Sequence, residues 1–257
     1  MVKKVQLSAF KNVRSQGIKA IALKEGDYLV GAAQTSGSDD IMLFSNLGKA
    51  IRFNEYWEKS GNDEAEDADI ETEISDDLED ETADNENALP SGKHGVRPSG
   101  RGSGGLRGMR LPADGKIVSL ITFAPEAAQS DLQVLTATAN GYGKRTPIAD
   151  YSRKNKGGQG NIAINTGERN GDLVAATLVG ETDDLMLITS GGVLIRTKVE
   201  QIRETGRAAA GVRLINLDEG EQLVSLERVA EGPEDESVSG EENTGETNVT
   251  TEDNTPQ

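Results

Sequence analysis

The sequence predicts an all-β fold, a propeller-like array of four-stranded blades with about four blades present. Two observations carry this. A hairpin pattern recurs along the chain with Gly and Arg in register, and each hairpin is followed by a second pair of apolar runs. A third observation, the distribution of charge, separates this body from two acidic segments that cannot belong to it.

The hairpins are "DDIMLFSNLGKAIRF" (39–53), "DLQVLTATANGYGKRT" (131–146) and "DDLMLITSGGVLIRT" (183–197). Each is an apolar run, a short polar turn with Gly, and a second run ending on a basic residue, which is a β-hairpin signal. Gly48, Gly141 and Gly192 align at the turn, and Arg52, Arg145 and Arg196 align four residues later. Arg145 to Arg196 spans 51 residues, and Arg52 to Arg145 spans 93, a difference absorbed by the acidic insertion. Lys4 lies 48 residues before Arg52, so "VKKVQL" reads as the second strand of an earlier hairpin. The chain is therefore expected to be a fragment that starts in mid-hairpin.

The second pairs are "GIKAIALKEGDYLVGAA" (17–33), "GLRGMRLPADGKIVSLI" (105–121), "GNIAINTGERNGDLVAA" (160–176) and "GVRLINLDEGEQLVSLE" (211–227). Each reads as strand–turn–strand, so two hairpins per unit make a four-stranded blade. An irregular barrel or sandwich is the alternative, and it leaves the in-register Gly and Arg positions unexplained. If the blades form an open arc, an unpaired strand edge is expected where the chain starts.

The net charge is −17, but residues 61–88 hold 14 acidic and no basic residues, and residues 231–257 hold 9 and none. Of 44 acidic residues, 21 remain against all 27 Lys and Arg, so the body carries +6. Segments this polar cannot bury enough surface to offset chain entropy, and both are expected to be disordered. The organisation expected is a β domain over 1–230, with an insertion at about 59–90 and an acidic tail at 231–257. The acidic blocks either solubilise the chain or, as tethered polyanions, compete for its basic surface. Unchanged low-salt affinity for a polyanionic ligand after deleting the tail would exclude competition by the tail.

Composition excludes several classes. With no Cys there is no disulfide framework or thiolate metal site. A single His, His94, leaves little room for zinc or a Ser-His-Asp triad. No apolar run approaches the roughly 18 residues that span a bilayer, so no membrane association is expected. "MVKKVQLSAF" has basic residues but no apolar stretch behind them, so it is not a secretory signal. "GRGSGG" (100–105) fits a dinucleotide motif without its strand–helix context, and "ANGYGKRT" fails as a P-loop because Thr138 stands where the first Gly belongs. Aromatic residues make up 4%, too few for single-strand stacking platforms.

"NGYGKRT", "GERNGDLV" and "LVSLERVAE", in this order and with the hairpin repeats and acidic tail, resemble the C-terminal DNA-wrapping domain of bacterial DNA gyrase A. The resemblance covers residue 2 to about 231, interrupted from about 59 to 95. It implies a six-bladed β-pinwheel, a propeller relative whose blades share strands, with the last four blades present here. It also implies duplex DNA, the N-terminal part of gyrase A and the ATP-hydrolysing gyrase B as partners, a cytoplasmic location, and support of ATP-dependent negative supercoiling. No cofactor is expected in this fragment, since ATP and magnesium act elsewhere in the holoenzyme. The family's cleavage tyrosine lies in the missing N-terminal part, and Tyr28, Tyr56, Tyr142 and Tyr151 match no cleavage motif. The signature box Q-R-R-G-G-K-G is absent; "RKNKGGQG" (153–160) is a degenerate relative. Binding and bending without a complete wrap is what this departure implies. The equivalent domain of topoisomerase IV and a protein-binding propeller are the alternatives, with an enzyme acting in a central channel a distant third.

For this role the expected contacts are phosphate contacts on a curved rim. Lys3/Lys4, Lys49/Arg52, Lys144/Arg145 and Arg196/Lys198 recur at the ends of the first hairpins and would form a cationic track. Arg153, Lys154 and Lys156 flank Gly157, Gly158 and Gly160, whose bare backbone could approach phosphate oxygens. "GKHGVRPSGRGSGGLRG" (92–108), with Arg97, Arg101 and Arg107, is comparable, whereas "RETGRAAAG" (203–211) reads as an ordinary flexible loop.

Overall fold

The computed structural model describes residues 1–13, 15–57 and 95–229; the acidic insertion, His94 and the acidic tail fall outside these residues. The three hairpins form where the aligned glycines place them: β1 (Asp40–Ser45) with β2 (Lys49–Asn54), β4 (Gln133–Thr138) with β5 (Tyr142–Pro147), and β8 (Asp184–Thr189) with β9 (Leu194–Lys198). Gly48, Gly141 and Gly192 have φ of 72°, 78° and 83°, which a β-carbon disfavours and a tight hairpin turn requires. Registers are equivalent, with Arg52, Arg145 and Arg196 opposite Met42, Leu135 and Met186.

The second pairs differ from the expectation. They are not hairpins within one blade, because their two strands go to different sheets. The later strands, β3 (Ile117–Phe123), β7 (Leu173–Val179) and β11 (Leu223–Val229), pair with β1, β4 and β8 of their own unit. The earlier ones, β6 (Asn161–Ile162) and β10 (Val212–Arg213), pair with β2 and β5 of the preceding unit. The sheets are thus β3-β1-β2-β6, β10-β5-β4-β7 and β11-β8-β9. Neighbouring blades are tied by exchanged strands, as the resemblance implies.

Residues 17–33 form no strand, contrary to the sequence reading. In the other units the later strand leans on the first strand of its own hairpin. Among the described residues no such strand stands beside Val2 and Lys4, which bridge to Leu106 and Pro98. Among the described residues nothing pairs with the outer edge of β9 either, and Leu194 and Ile195 there are exposed.

Side chains alternate across each strand, so both faces of the inner sheets are buried. Met42 and Phe44 face the second sheet with Phe123, Val134, Ile148 and Tyr151, while Ile41 and Leu43 turn the other way to Ile51, Phe53, Val96 and Met109. Leu135 and Ala137 leave the opposite face of the second sheet to meet Leu185, Leu187, Ile202 and Leu226. Each large side chain buried this way contributes about 1.5–3 kcal/mol. Among the described residues, no helix is long and apolar enough to cross a membrane.

Candidate nucleic-acid interface

Three glycine-rich loops share one construction. They run 98–105, 153–160 and 204–211, and each starts with a parallel bridge: Lys4 to Pro98, and, on the second strands of the first two hairpins, Arg52 to Arg153 and Arg145 to Glu204. Each ends on a glycine at positive φ: Gly105 at 86°, Gly160 at 72° and Gly211 at 80°. A β-carbon there would lie 2.6 Å from the Val2 carbonyl oxygen, 2.5 Å from that of Ala50 and 2.4 Å from that of Gly143. These glycines allow the loop to fall onto the preceding blade and start the exchanged strand. At the fourth position stand Arg101, Lys156 and Arg207. The loop at 203–211 is therefore built like the other two, and reading it as an ordinary flexible loop is corrected.

The hairpin-end cations have a different job from the one expected. Arg52 is buried; its Nε and Nη2 donate to Asp40 Oδ2 at 2.8 and 2.6 Å and its Nη1 to the Tyr151 carbonyl at 2.8 Å. Its guanidinium also lies 5.3 Å from the centroid of Phe123. Arg153 reaches the same carboxylate, with Nε 2.9 Å from Oδ1. Arg196 repeats the pairing with Asp184 at the surface, Nε to Oδ2 2.6 Å. In the middle hairpin Gln133 stands where the aspartate would be, and Arg145 Nε donates to the Ile202 carbonyl at 2.6 Å instead. The recurring Arg is thus a cross-strand tie. Lys4 is likewise engaged, 3.1 Å from Glu55 Oε2.

Lys144 is buried and its ammonium donates to the carbonyls of Gly206 and Arg207. Lys3 does the same for the first loop, donating to the Arg101 and Ser103 carbonyls at 2.5 and 2.7 Å. These lysines fix the loops from within. The continuous cationic track is therefore corrected at Arg52 and Lys144, which burial removes from the rim, while Lys3, Lys4, Arg145 and Arg153 are half-buried and spend donors on the protein. Gly157 is corrected too: its N–H donates to the Gly108 carbonyl at 2.8 Å and is not offered outward. Gly158 is exposed and its carbonyl accepts from Arg110 N–H at 2.8 Å.

Burial pushes the Lys144 ammonium down to about 8 from an ordinary 10.5, with Arg207 adding to the shift and Asp150 opposing it. A folded-state value below the unfolded one means the unfolded chain binds more protons between these limits, so stability rises with pH there. From pH 8 to 10.5, denaturation midpoints of the native chain should rise relative to those of Lys144→Met; parallel curves would show that burial leaves the ammonium unperturbed.

Of the expected contact residues, Arg97, Arg107, Arg196 and Lys198 are exposed, with Lys198 3.8 Å from Glu200. Arg101 is half-buried, with Nη1 3.0 Å from the Lys19 carbonyl. Lys154 and Lys156 are half-buried on the middle loop, and burial lowers the Lys156 ammonium from its usual range. Between the middle and last loops lies an open groove of about 800 Å³, lined by Lys49, Gly160, Asn161, Gly206 and Arg207 with Asp150 at its side. The structure brings together Lys49, Gly160 and Arg207 from segments far apart in sequence.

Sequence reasoning missed Arg207, Arg169 and Arg213. The last two lie over the ring of Tyr142, with guanidinium carbons 4.4 and 5.4 Å from its centroid. Arg207 was findable by aligning the fourth loop position, and Arg213 by aligning Gly211-Val212-Arg213 with Gly105-Leu106-Arg107. Nothing in the sequence brings Arg169 to Tyr142.

Sheets stacked in sequence and laced by exchanged strands, with a basic glycine-rich loop at each junction, define a β-propeller of the pinwheel kind. The chain belongs to the family of DNA gyrase C-terminal domains, a β-propeller family whose model matches residues 1–36, 39–56, 94–124, 133–179 and 183–230. It is 95% identical over 231 residues to the DNA gyrase A protein of Neisseria gonorrhoeae, covering 90% of this chain and 25% of that protein. It is 44% identical over 246 residues to the DNA gyrase A protein of Aeromonas salmonicida, covering 92% and 26%. The chain spans about a quarter of the length of these relatives. Among solved structures it is similar to a DNA gyrase A C-terminal domain, with TM-score 0.61 and 22% identity over 84% of this chain and 59% of that one. It is also similar to the C-terminal domain of a DNA topoisomerase IV, with TM-score 0.68 and 21% identity over 89% and 58%. At these identities the two structures bear on the fold alone.

Proposed function

We propose that the chain binds duplex DNA through its phosphate backbone and bends or wraps it as part of gyrase A. The observation that carries this reading is the same loop in three successive blades, each with a cation at its fourth position and each seated by a positive-φ glycine. A repeated, base-blind set of charges on a curved body suits deformation of a backbone and offers nothing to read base edges. The chain works without catalysis or cofactor, with the N-terminal part of gyrase A, gyrase B, ATP and magnesium supplying negative supercoiling in the cytoplasm. The gyrase A relatives favour gyrase over topoisomerase IV.

The test is duplex affinity across a salt series. Each phosphate contact contributes about −0.9 to the slope of log affinity against log salt. A slope steeper than about −4, independent of DNA sequence, is expected for contacts spread over several blades. Weak binding with a flat slope would overturn the reading in favour of a protein-binding propeller.

A further inference from the structure

We propose that Tyr142, Arg169 and Arg213 form a clamp for a DNA phosphodiester on the second sheet; this rests on the DNA reading above and assigns a site to it. Tyr142 opens β5 directly after the turn glycine, and Arg213 lies opposite it in the β10 register. Arg213 Nη2 donates to the Tyr142 hydroxyl at 2.9 Å and Nη1 to Asn216 Oδ1 at 3.0 Å. Arg169 comes from the turn at 166–171, which is held in place by its own bonds. Asn140 Nδ2 donates to the carbonyls of Glu168 and Arg169 at 3.0 and 3.1 Å, and Gly171 N–H donates to the Gly167 carbonyl at 2.7 Å.

Charge distinguishes this cluster from the arginines that tie strands together. Arg52, Arg153 and Arg196 each meet a carboxylate, whereas neither Arg169 nor Arg213 forms an ion pair among the described residues. The acidic residues beside Arg169 in the sequence do not pair with either guanidinium: Asp172 accepts from Asn46 Nδ2 at 3.1 Å, and Glu168 forms no ion pair with them. Two like charges are thus held over one ring with no anion between them. A bound phosphate would relieve their repulsion and accept from both planar forks. The ring restricts both side chains before binding, which lowers the entropy lost on docking. Because the guanidinium groups lie over it, the ring is not a platform for a base, and the ligand is backbone.

The cluster is also tied to the loop that lines the groove. Its turn is stitched to the last glycine-rich loop, with Asn165 Nδ2 donating to the Ala208 carbonyl at 2.7 Å and Asn170 Nδ2 to that of Ala210 at 2.8 Å. Arg207 stands on that same loop and lines the groove with Lys49. A duplex seated on the groove would run on toward the clamp.

The experiment measures binding of the full chain to a mixed-sequence duplex over a salt series, with a denaturation midpoint for each variant. The double variant Arg169→Gln/Arg213→Gln should bind several-fold more weakly at low salt, with a slope shallower by about 1 to 2. Arg213→Lys keeps the charge but loses the fork, and Tyr142→Leu keeps both charges but loses the platform; each should weaken binding about threefold or more at an unchanged fold. If the double variant matches the native chain while Lys49→Ala/Arg207→Ala loses affinity, the clamp is wrong and the DNA reading stands. If only the charge-removing variant weakens binding, the two arginines act as separate charges and the clamp is again wrong. If the native chain itself fails to bind duplex at low salt, the DNA reading fails and the clamp with it.

Discussion

Arg52→Ala is expected to lower the stability of the chain by about 3–5 kcal/mol, the range for removing one partner of a buried ion pair. Asp40 is fully buried and its carboxylate collects Arg52, Arg153 and Asn54 Nδ2, the last at 2.9 Å from Oδ1. Without Arg52 the remaining guanidinium touches the carboxylate through Nε alone, the Tyr151 carbonyl loses its donor, and Phe123 faces an empty space. The aligned Arg196→Ala should behave differently. Its side chain is 61% exposed beside Asp184, so solvent screens the pair and the change should stay within about 1 kcal/mol. Urea denaturation followed by circular dichroism measures both. A loss below about 1 kcal/mol for Arg52→Ala would mean that Arg153 alone compensates Asp40.

This pair of variants also explains what the sequence could and could not reveal. The hairpins were legible because a turn glycine and alternating apolar residues are local properties, and Gly48, Gly141 and Gly192 sit where they were expected. The fate of the second pairs was not legible. A strand, a turn and a strand look the same whether they fold back on each other or part to separate sheets. What decides is the approach of Gly160 to Ala50 and of Gly211 to Gly143, contacts between distant segments. The recurring arginines were equally ambiguous, because a basic residue at a strand end serves a rim or an internal tie alike. One signal was available: an aspartate stands 12 residues before both Arg52 and Arg196, and Gln133 takes that place before Arg145. Where the aspartate is present the arginine is paired to it, and where it is missing the arginine turns to a loop carbonyl.

Gly160→Ala is expected to cost about 3 kcal/mol and to reduce duplex affinity with it, whereas Gly102→Ala should be neutral or slightly stabilising. Gly160 has φ of 72°, and a β-carbon there would lie 2.5 Å from the Ala50 oxygen, 2.8 Å from its carbon and 3.0 Å from Met109 Cε. The first two neighbours are backbone of β2 and cannot swing aside. The left-handed conformation alone costs roughly 1–2 kcal/mol for a side chain. Relieving the clash requires β6 to draw back from Lys49 and Ala50, which removes ladder bonds of about 1 kcal/mol each. The same withdrawal shifts Asn161 and Ile162, which line the groove beside Lys49 and Arg207. Gly102 shares the glycine-rich composition but has no atom within 4 Å of a β-carbon and no positive φ. A denaturation midpoint and a duplex titration on both variants decide the matter. Equal stability for the two would show that composition alone accounts for the glycines; a large loss confined to Gly160 would make the exchanged strand the element that holds neighbouring blades, and the groove between them, in place.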